Sequence, residues 1–510
     1  MMPSPDPNLP VDFRAKPVFD KRRADWRVGH LIYQVFVDRF APSARLESKR
    51  HCYPEPITLR KWDETPGYGK FLPDHRVHEN EVQFWGGDLE SLHANLNYIA
   101  DLGVDVLYLN PIFHAFSNHK YDAMDYFTID PQYGTREELT HLVTDARRRG
   151  IRTMLDGVFN HMGRRAALFA KAADPAAPER EMFTFREEAK NGYLGWRNVA
   201  NLPEIRLESE AVRRMVYDSP GSVVQSYIRE VGVMGWRLDV APDVGFEHLR
   251  GITEASRAAH PEAVVIGECW NYPDEWLRVM DGVMNMHART LLIELTLGRI
   301  SARRAGKAIE RMIEDGGIEG ILRSHMVLDN HDVPRLATTI PDQTSREFIR
   351  TLQFLLPGCP VVYYGSELGM EGGADPANRA PMRWDLVSDD NWDLAHTRKL
   401  IALRKENDAL RVGDFRLLDG EGTLAFLRLT DRARETILVL ANPSNAPVHE
   451  VIQVRDSRFM DAAPLECLIS GDRVTVHCGF IEQSLPPKSI RVFRTVDQGT
   501  DPGYSMFKRV

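Results

Sequence analysis

The chain has 510 residues, 43% hydrophobic and 27% charged, with 64 Lys+Arg against 73 Asp+Glu for a net charge of −9. That composition excludes a disordered or fibrous chain, and the thin acidic excess disfavours nucleic acid and anionic membrane, which both reward a basic face. The length corresponds to about three average domains, or fewer if one is a barrel of roughly 250 residues or more. No apolar run reaches bilayer-spanning length. The opening Met1-Met2-Pro3-Ser4-Pro5-Asp6 lacks the basic-then-apolar layout of a secretory signal. Five scattered cysteines (Cys52, Cys269, Cys359, Cys467, Cys478) have no metal spacing. A reduced, cytoplasmic protein is expected.

Residues 1–28 are rich in Pro and charge and are expected to wrap a surface. The strand-like run Leu31-Ile32-Tyr33-Gln34-Val35-Phe36-Val37 follows and ends in Asp38-Arg39, and the polar stretch 41–84 reads as a long loop. Helical patterns over 88–101, 136–149 and 208–232 precede apolar runs at 104–109, 151–155 and 235–239. Further strand candidates are 264–266, 282–284, 325–328 and 360–364. Eight short apolar runs separated mostly by helices are the mark of parallel βαβ units. Eight units predict a closed (β/α)8 TIM barrel, with an open doubly wound sheet as the alternative by pattern alone. The predicted organisation is a barrel over 1–159 and 208–412, an inserted subdomain over 160–207 after the third strand, and a C-terminal β-sandwich over 413–510.

A barrel carries its functional residues at the C-terminal ends of its strands. Those ends supply Asp156, Asp239, Glu268 and Asp332, together with Arg237, His161 and His331. A single acid at a strand end is more often a cap or an ion-pair partner. Four together, with no Cys/His metal cluster, point to acid/base and nucleophilic work on a glycosidic bond. Phosphate-loop, zinc-helix and nucleophile-elbow motifs are absent; Gly365-Ser366-Glu367-Leu368-Gly369 has its Ser one place too early for the elbow. Trp85, Tyr121, Trp270, Tyr272, Trp276 and Trp384 fall in loops expected near the mouth, where aromatic faces suit the C–H faces of glucose; core packing is the equal alternative for each.

Four motifs in order, Asp156-Gly157-Val158-Phe159-Asn160-His161, Gly235-Trp236-Arg237-Leu238-Asp239-Val240-Ala241, Gly267-Glu268-Cys269-Trp270 and Val327-Leu328-Asp329-Asn330-His331-Asp332, closely resemble those of the α-amylase family of glycoside hydrolases. The resemblance runs from about 31 to 410. It implies Asp239 as nucleophile, Glu268 as general acid/base and Asp332 as the third carboxylate, which holds sugar hydroxyls. It also implies His161 and His331 as a hydroxyl-binding pair, Tyr121 as the platform under the reacting sugar, and Asp156 as a structural partner of Arg237. Arg237, two residues before Asp239 on one strand, is expected to keep that carboxylate ionised, while burial and neighbouring charge raise Glu268.

Phe84-Trp85-Gly86-Gly87-Asp88, Gly369-Met370-Glu371-Gly372-Gly373 and Asp375-Pro376-Ala377-Asn378-Arg379 are similar to the neopullulanase/cyclomaltodextrinase group, which places Asp375 and Arg379 in the substrate-binding set. Leu202-Pro203-Glu204-Ile205 is similar to that group's Met-Pro-Lys-Leu-Asn, with Arg206 in place of the Asn. Val240 is similar to members that accept α-1,6 as well as α-1,4 links. The group usually begins with a separate β-sandwich that helps it dimerise. Fewer than 31 residues precede the first strand here, so both monomer and homodimer remain open. Asn160 matches a calcium ligand of secreted relatives, but Ala241-Pro242-Asp243 departs from their Ala-Lys-His, so no cofactor and no essential calcium are expected, with Trp196 and Tyr193 docking the inserted subdomain by packing. The leading expectation is a retaining hydrolase of α-linked gluco-oligosaccharides. The alternatives are a glucan transferase on the same scaffold and a non-enzymatic carbohydrate-binding protein.

Overall fold

The computed structural model describes residues 11–496. Residues 1–10 of the Pro-rich opening and 497–510 of the expected sandwich range lie outside the described residues. Eight strands form the centre: β1 Ile32–Val35, β2 Val106–Leu109, β3 Arg152–Gly157, β4 Gly235–Leu238, β5 Val264–Cys269, β6 Gly282–Asn285, β7 His325–Met326 and β8 Cys359–Tyr363. All pair in parallel, and β1 pairs with both β2 and β8, so the sheet closes into a barrel and the open-sheet alternative falls. Ile32, Tyr108, Met154, Ile266, Met284 and Val361 fill the interior. Residues facing the other way, such as Leu107, Val265 and Trp236, pack under the surrounding helices. This two-sided burial explains why the strands read as continuous apolar runs.

The helices follow from local signals. Arg136–Arg148 opens with a reciprocal cap between Thr135 and Glu138 and buries Leu139, Leu142, Val143 and Ala146 at helical spacing. The stretch expected as one helix over 208–232 is instead three short pieces, Glu210–Val216, Val223–Ser226 and the wider turn Tyr227–Val231. Pro220-Gly221 interrupts it, because Pro supplies no N–H and Gly favours the turn.

Beyond the barrel lie β9 Asp414–Leu418, β10 Leu424–Leu429, β11 Ile437–Asn442, β12 Val448–Gln453, β13 Pro464–Cys467, β14 Arg473–Thr475, β15 Phe480–Leu485 and β16 Ser489–Thr495. Six of them form one antiparallel-paired sheet in the order β9-β10-β11-β16-β13-β14, and β12 and β15 form a second. Leu427, Leu440 and Phe493 meet Ile452 and Ile481 between the two sheets. The opposite face, with Phe426, Val439 and Val492, shares a core with Ile309, Met312 and Phe348 of the barrel helices. The opening segment contributes the helix Val11–Ala24, whose Arg22 binds Glu319 and Asp414 and whose Arg23 binds Asp408, Asp431 and Glu435. It therefore clamps barrel to sandwich rather than merely covering a surface.

Burial lowers His396, on the helix Trp392–Glu406, to about 4, with Arg350 adding to the effect. Its neutral ring is favoured in the folded chain, so its contribution to stability is complete above the unfolded value near 6.5 and is lost as pH falls toward 4. Relative to His396→Gln, the native chain should lose about 2 kcal/mol between pH 7.5 and 5. Parallel melting curves should show the gap in Tm shifting in favour of the variant by a few degrees; a pH-independent gap would refute the linkage.

Candidate active site

The register of the barrel stacks the charged residues in two layers. Arg237 on β4 lies level with Asp156 on β3 and Ile266 on β5. Strand side chains alternate faces, so residues two positions on return to the interior one layer higher. Asp239 and Glu268 are those residues. The turn after β4 requires a tight approach: a Cβ at Gly267 would lie 2.9 Å from the Ala241 methyl and 2.6 Å from Met280 sulfur. Val240 takes up the left-handed backbone at φ 40, an expensive conformation for a β-branched residue. That geometry sends its N–H to Glu268 Oε2 at 3.0 Å.

One buried guanidinium holds the cluster. Arg237 Nη1 donates to Asp156 Oδ1 at 2.8 Å and Asp239 Oδ1 at 2.9 Å. Its Nη2 lies 3.0 Å from Glu268 Oε2, off the hydrogen-bonding direction, and 4.0 Å from Asp332 Oδ2. Trp270 Nε1 donates to the other Glu268 oxygen at 2.9 Å while the indole remains 55% exposed at the mouth. Burial opposes the charge on Arg237, but Asp156, Tyr108 and Glu268 outweigh it. Arg237 favours the ionised Asp239 as expected, but its surroundings outweigh it. Burial pushes the Asp239 carboxyl well up, Arg237 opposes that, and the charges of Glu268, Asp156 and Asp332 add to it. Burial also raises Asp156, against Arg237 and the hydroxyls of Tyr108 and Tyr121. Burial thus favours the protonated forms of Asp239 and Asp156, and Arg237 works against it at both.

A hydrogen-bond chain fixes the far wall. Gln34 and Asn110 amides reach His331 Nδ1 at 3.0 and 3.1 Å, leaving Nε2 to carry the ring hydrogen. Nε2 faces the Tyr121 hydroxyl, which donates to Asp156 Oδ2 at 3.0 Å. Burial, with Arg379 and Arg237 nearby, keeps His331 neutral. The rings of His119, Tyr121 and His331 stack in series, 5.9 and 5.5 Å between centroids. Lys120, at φ 64, anchors this loop by donating from buried Nζ to Asp130 at 2.7 Å and Gln132 at 2.6 Å. Asp332 lies 3.2 Å from His331 Nε2 and 3.7 Å from Arg379 Nη2. Arg379 also donates to the His331 carbonyl, and its Nη1 is 3.3 Å from Asp375.

These residues border a cavity of about 540 Å3 that includes Tyr121, His161, Asp239, Glu268, Asp332 and Arg379, with Asp375 at its edge. His161 is buried, held neutral by burial with a value of about 3, and stacked on Trp196. Asn160 bonds to His161 through its side-chain amide and to Ile205 through its carbonyl. Every site residue expected from the sequence therefore gathers at this mouth. The aromatics divide. Trp85 is buried with the Arg39 guanidinium 3.9 Å from its ring, Trp276 stacks on Phe246, Tyr272 donates to Asp315, and Trp384 donates to the Phe40 carbonyl, leaving only Tyr121 and Trp270 of the six on the cavity. Trp196 docks the inserted segment through its N–H to Asp243 at 2.9 Å. Tyr193 instead packs on Phe169 and Phe185 and donates to the Ala200 carbonyl, all within that segment. Gln34, Asn110, Tyr108 and Lys120 were missed as supports. For Gln34 and Asn110 the signal was polarity inside or directly after an apolar strand, as in Tyr33-Gln34-Val35 and Leu109-Asn110.

Residues 34–413 match the family described as alpha amylase, catalytic domain. The chain is 33% identical over 481 residues to the cyclomaltodextrinase of Geobacillus thermopakistaniensis (strain MAS1), covering 91% of this chain and 76% of that one. It is 30% identical over 471 residues to the intracellular maltogenic amylase of Bacillus subtilis (strain 168), covering 89% and 76%. Among solved structures, the cyclic α-maltosyl-(1→6)-maltose hydrolase of Arthrobacter globiformis, in complex with cyclic α-maltosyl-(1→6)-maltose, superposes with a TM-score of 0.77 at 26% identity over 92% of this chain and 99% of that one. With the barrel, the carboxylate cluster and these likenesses together, the chain belongs to the alpha-amylase family of glycoside hydrolases and is an α-glucan hydrolase with cyclomaltodextrinases and maltogenic amylases as its relatives.

Proposed function

We propose that the chain cleaves α-1,4 links, and α-1,6 links as well, in short maltodextrins or cyclic gluco-oligosaccharides inside the cell, by double displacement with retention. The single observation that carries the mechanism is the placement of Asp239 and Glu268 in one barrel layer, both held by Arg237. The relatives' printed names support the substrate class, and the word intracellular in one of them supports the compartment.

In the first step an Asp239 oxygen bonds to the anomeric carbon as the glycosidic C–O bond breaks, and Glu268 gives its proton to the departing oxygen. In the second, Glu268 takes a proton from water, whose oxygen displaces Asp239. The cycle needs Asp239 ionised: burial and the neighbouring carboxylates oppose that charge, and Arg237 supports it. Tyr121 and the neutral His331 supply a flat wall and an N–H donor beside the reacting ring, and Asp332 with Arg379 faces its hydroxyls.

Asp239→Asn should reduce kcat at least a thousandfold with an unchanged melting curve, since an amide cannot form the ester. Glu268→Gln should lose comparable activity on maltodextrins yet still release an activated aryl leaving group in a first-turnover burst. Full turnover by pure Asp239→Asn would sink the assignment.

Retention is tested by proton NMR of fresh digests of maltoheptaose, in which the α-anomer of the new reducing end should appear before mutarotation. The β-anomer appearing first would exclude the covalent route.

The chain is further proposed to work without bound calcium. Among the described residues no group of three or more His, Cys, Asp or Glu side chains is arranged to hold a metal, the Asn160 side chain is turned to His161, and the inserted segment is held by Trp196 and Asp243. Dialysis against EDTA should leave activity and Tm unchanged; a fall of several degrees restored by micromolar calcium would overturn this.

A further inference from the structure

Arg237 reaches its carboxylates from inside the barrel, where it has no access to solvent. A guanidinium is a rigid planar fork of five N–H bonds, so fixing one nitrogen fixes the direction of the others. Nη1 gives its two hydrogens to Asp156 and Asp239. Nη2 has no partner in hydrogen-bonding geometry among the described residues. The remaining donor, Nε, is met from β6, two strands from β4 in the barrel order, where it donates to Met284 Sδ at 3.2 Å. Met284 is fully buried and lies level with Glu268 on β5 and His325 on β7. It does not border the reaction cavity.

The chemistry of this partner is informative. The cluster already sets four carboxylates against one cation. A carboxylate at Nε would add a fifth and compete for the same charge. The carbonyls of the barrel strands are engaged in the parallel ladder. An alkyl side chain would leave a buried N–H with no acceptor. A thioether is neutral, polarisable and a weak acceptor, so it satisfies the N–H and leaves the positive charge to the carboxylates. Around Met284 the interior is apolar, with Ile266 and Val327 among its members, and the ring nitrogens of His325 make no hydrogen bond among the described residues. The sulfur is therefore the acceptor on which the orientation of Nε depends.

We propose that Met284 is a positioning residue for the reaction: its sulfur holds Arg237 by Nε and so aims Nη1 at Asp156 and Asp239. The inference rests on the double-displacement reading above, in which Asp239 must be ionised. Arg237 is faced by Tyr108 from β2, Asp156 from β3, Asp239 from β4 and Glu268 from β5, with Asp332 and His325 on the β7 side and Tyr121 above. Arg237 favours the Asp239 charge, while burial and the carboxylates oppose it. A guanidinium aimed less well opposes them less. Asp239 then ionises at higher pH, and the acid limb of kcat/KM moves upward.

The test compares Met284→Leu and Met284→Gln in the full chain, with maltoheptaose as substrate. Leucine keeps the volume and removes the acceptor, whereas glutamine keeps the length and offers an amide oxygen. Met284→Leu should lower kcat about tenfold, leave KM within about twofold and Tm within a few degrees, and move the acid limb of kcat/KM up by about half a pH unit. Met284→Gln should recover most of the lost kcat and return the limb toward its native position, despite a lower Tm. A residue that only filled space would give the reverse order, leucine near native and glutamine worse in both rate and stability, and that result would overturn the inference. A native kcat and pH profile in Met284→Leu would overturn it as well; where Met284→Gln does not fold, that profile alone decides. A β-anomer released first by the native chain would instead remove the double-displacement reading, and this inference with it.

Discussion

Arg237 carries the only positive charge in direct contact with all four carboxylates Asp156, Asp239, Glu268 and Asp332 among the described residues, and it has no access to solvent. At an effective dielectric constant of about 20, one such contact at 4 Å is of order 4 kcal/mol. Four attractions stand against six carboxylate–carboxylate repulsions, and burial with the neighbouring carboxylates pushes Asp239 up even with the cation present. Without the guanidinium at least one further carboxylate would have to neutralise, and the layered geometry of β3, β4 and β5 would lose its shared anchor. The barrel register that puts Arg237 level with Asp156 and one layer below Asp239 and Glu268 is therefore an electrostatic requirement as much as a packing one.

The same constraint explains the supporting cast. A cation shared so widely can hold each partner only if other groups fix the carboxylates' remaining oxygens. Tyr108 and Tyr121 bind Asp156 Oδ2, Val240 N–H and Trp270 Nε1 bind Glu268, and Asn330 binds Asp332 Oδ2. The left-handed backbone of Val240 is intelligible in this light. Its conformational cost, of order 1–3 kcal/mol, aims an N–H that no extended residue at the end of β4 would direct across to β5. Lys120 plays the matching part on the other wall, holding a left-handed turn so that His119 and Tyr121 stand on one line.

What the sequence made legible follows from which forces act locally. Runs such as Val106–Leu109 and Val264–Cys269 are buried on both faces, so their apolarity announced strands, and acids at strand ends, such as Glu268 in the second run, announced the mouth. The aromatics were ambiguous because a Trp needs only a surface, and whether that surface is a sugar or Arg39 depends on residues far away in the chain; Trp85 went to Arg39. The proton balance at Asp239 was misjudged for a related reason. Arg237 is visible two residues away, whereas Asp156, Glu268 and Asp332 arrive from three other strands and loops. Tyr193 was assigned to docking on residue type alone, although a ring flanked by Phe169 and Phe185 completes its own small core first.

The two sides of the cleft are tied into the fold by different numbers of side-chain contacts. On the side of Tyr121, stacked rings, a buried lysine and the amide of Asn118 tie His331, Tyr121 and the polar segment 41–84 into one wall. On the side of Trp270, the exposed indole is held to Glu268 by its N–H, and Trp196 donates to Asp243. Interactions on a rigid wall are made at little further entropic cost, so binding energy gathered there can be spent on placing the anomeric carbon over Asp239. The double displacement proposed for this cleft would make unequal demands on its two sides: one would hold its sugar through two chemical steps, and the other would exchange a sugar for water between them.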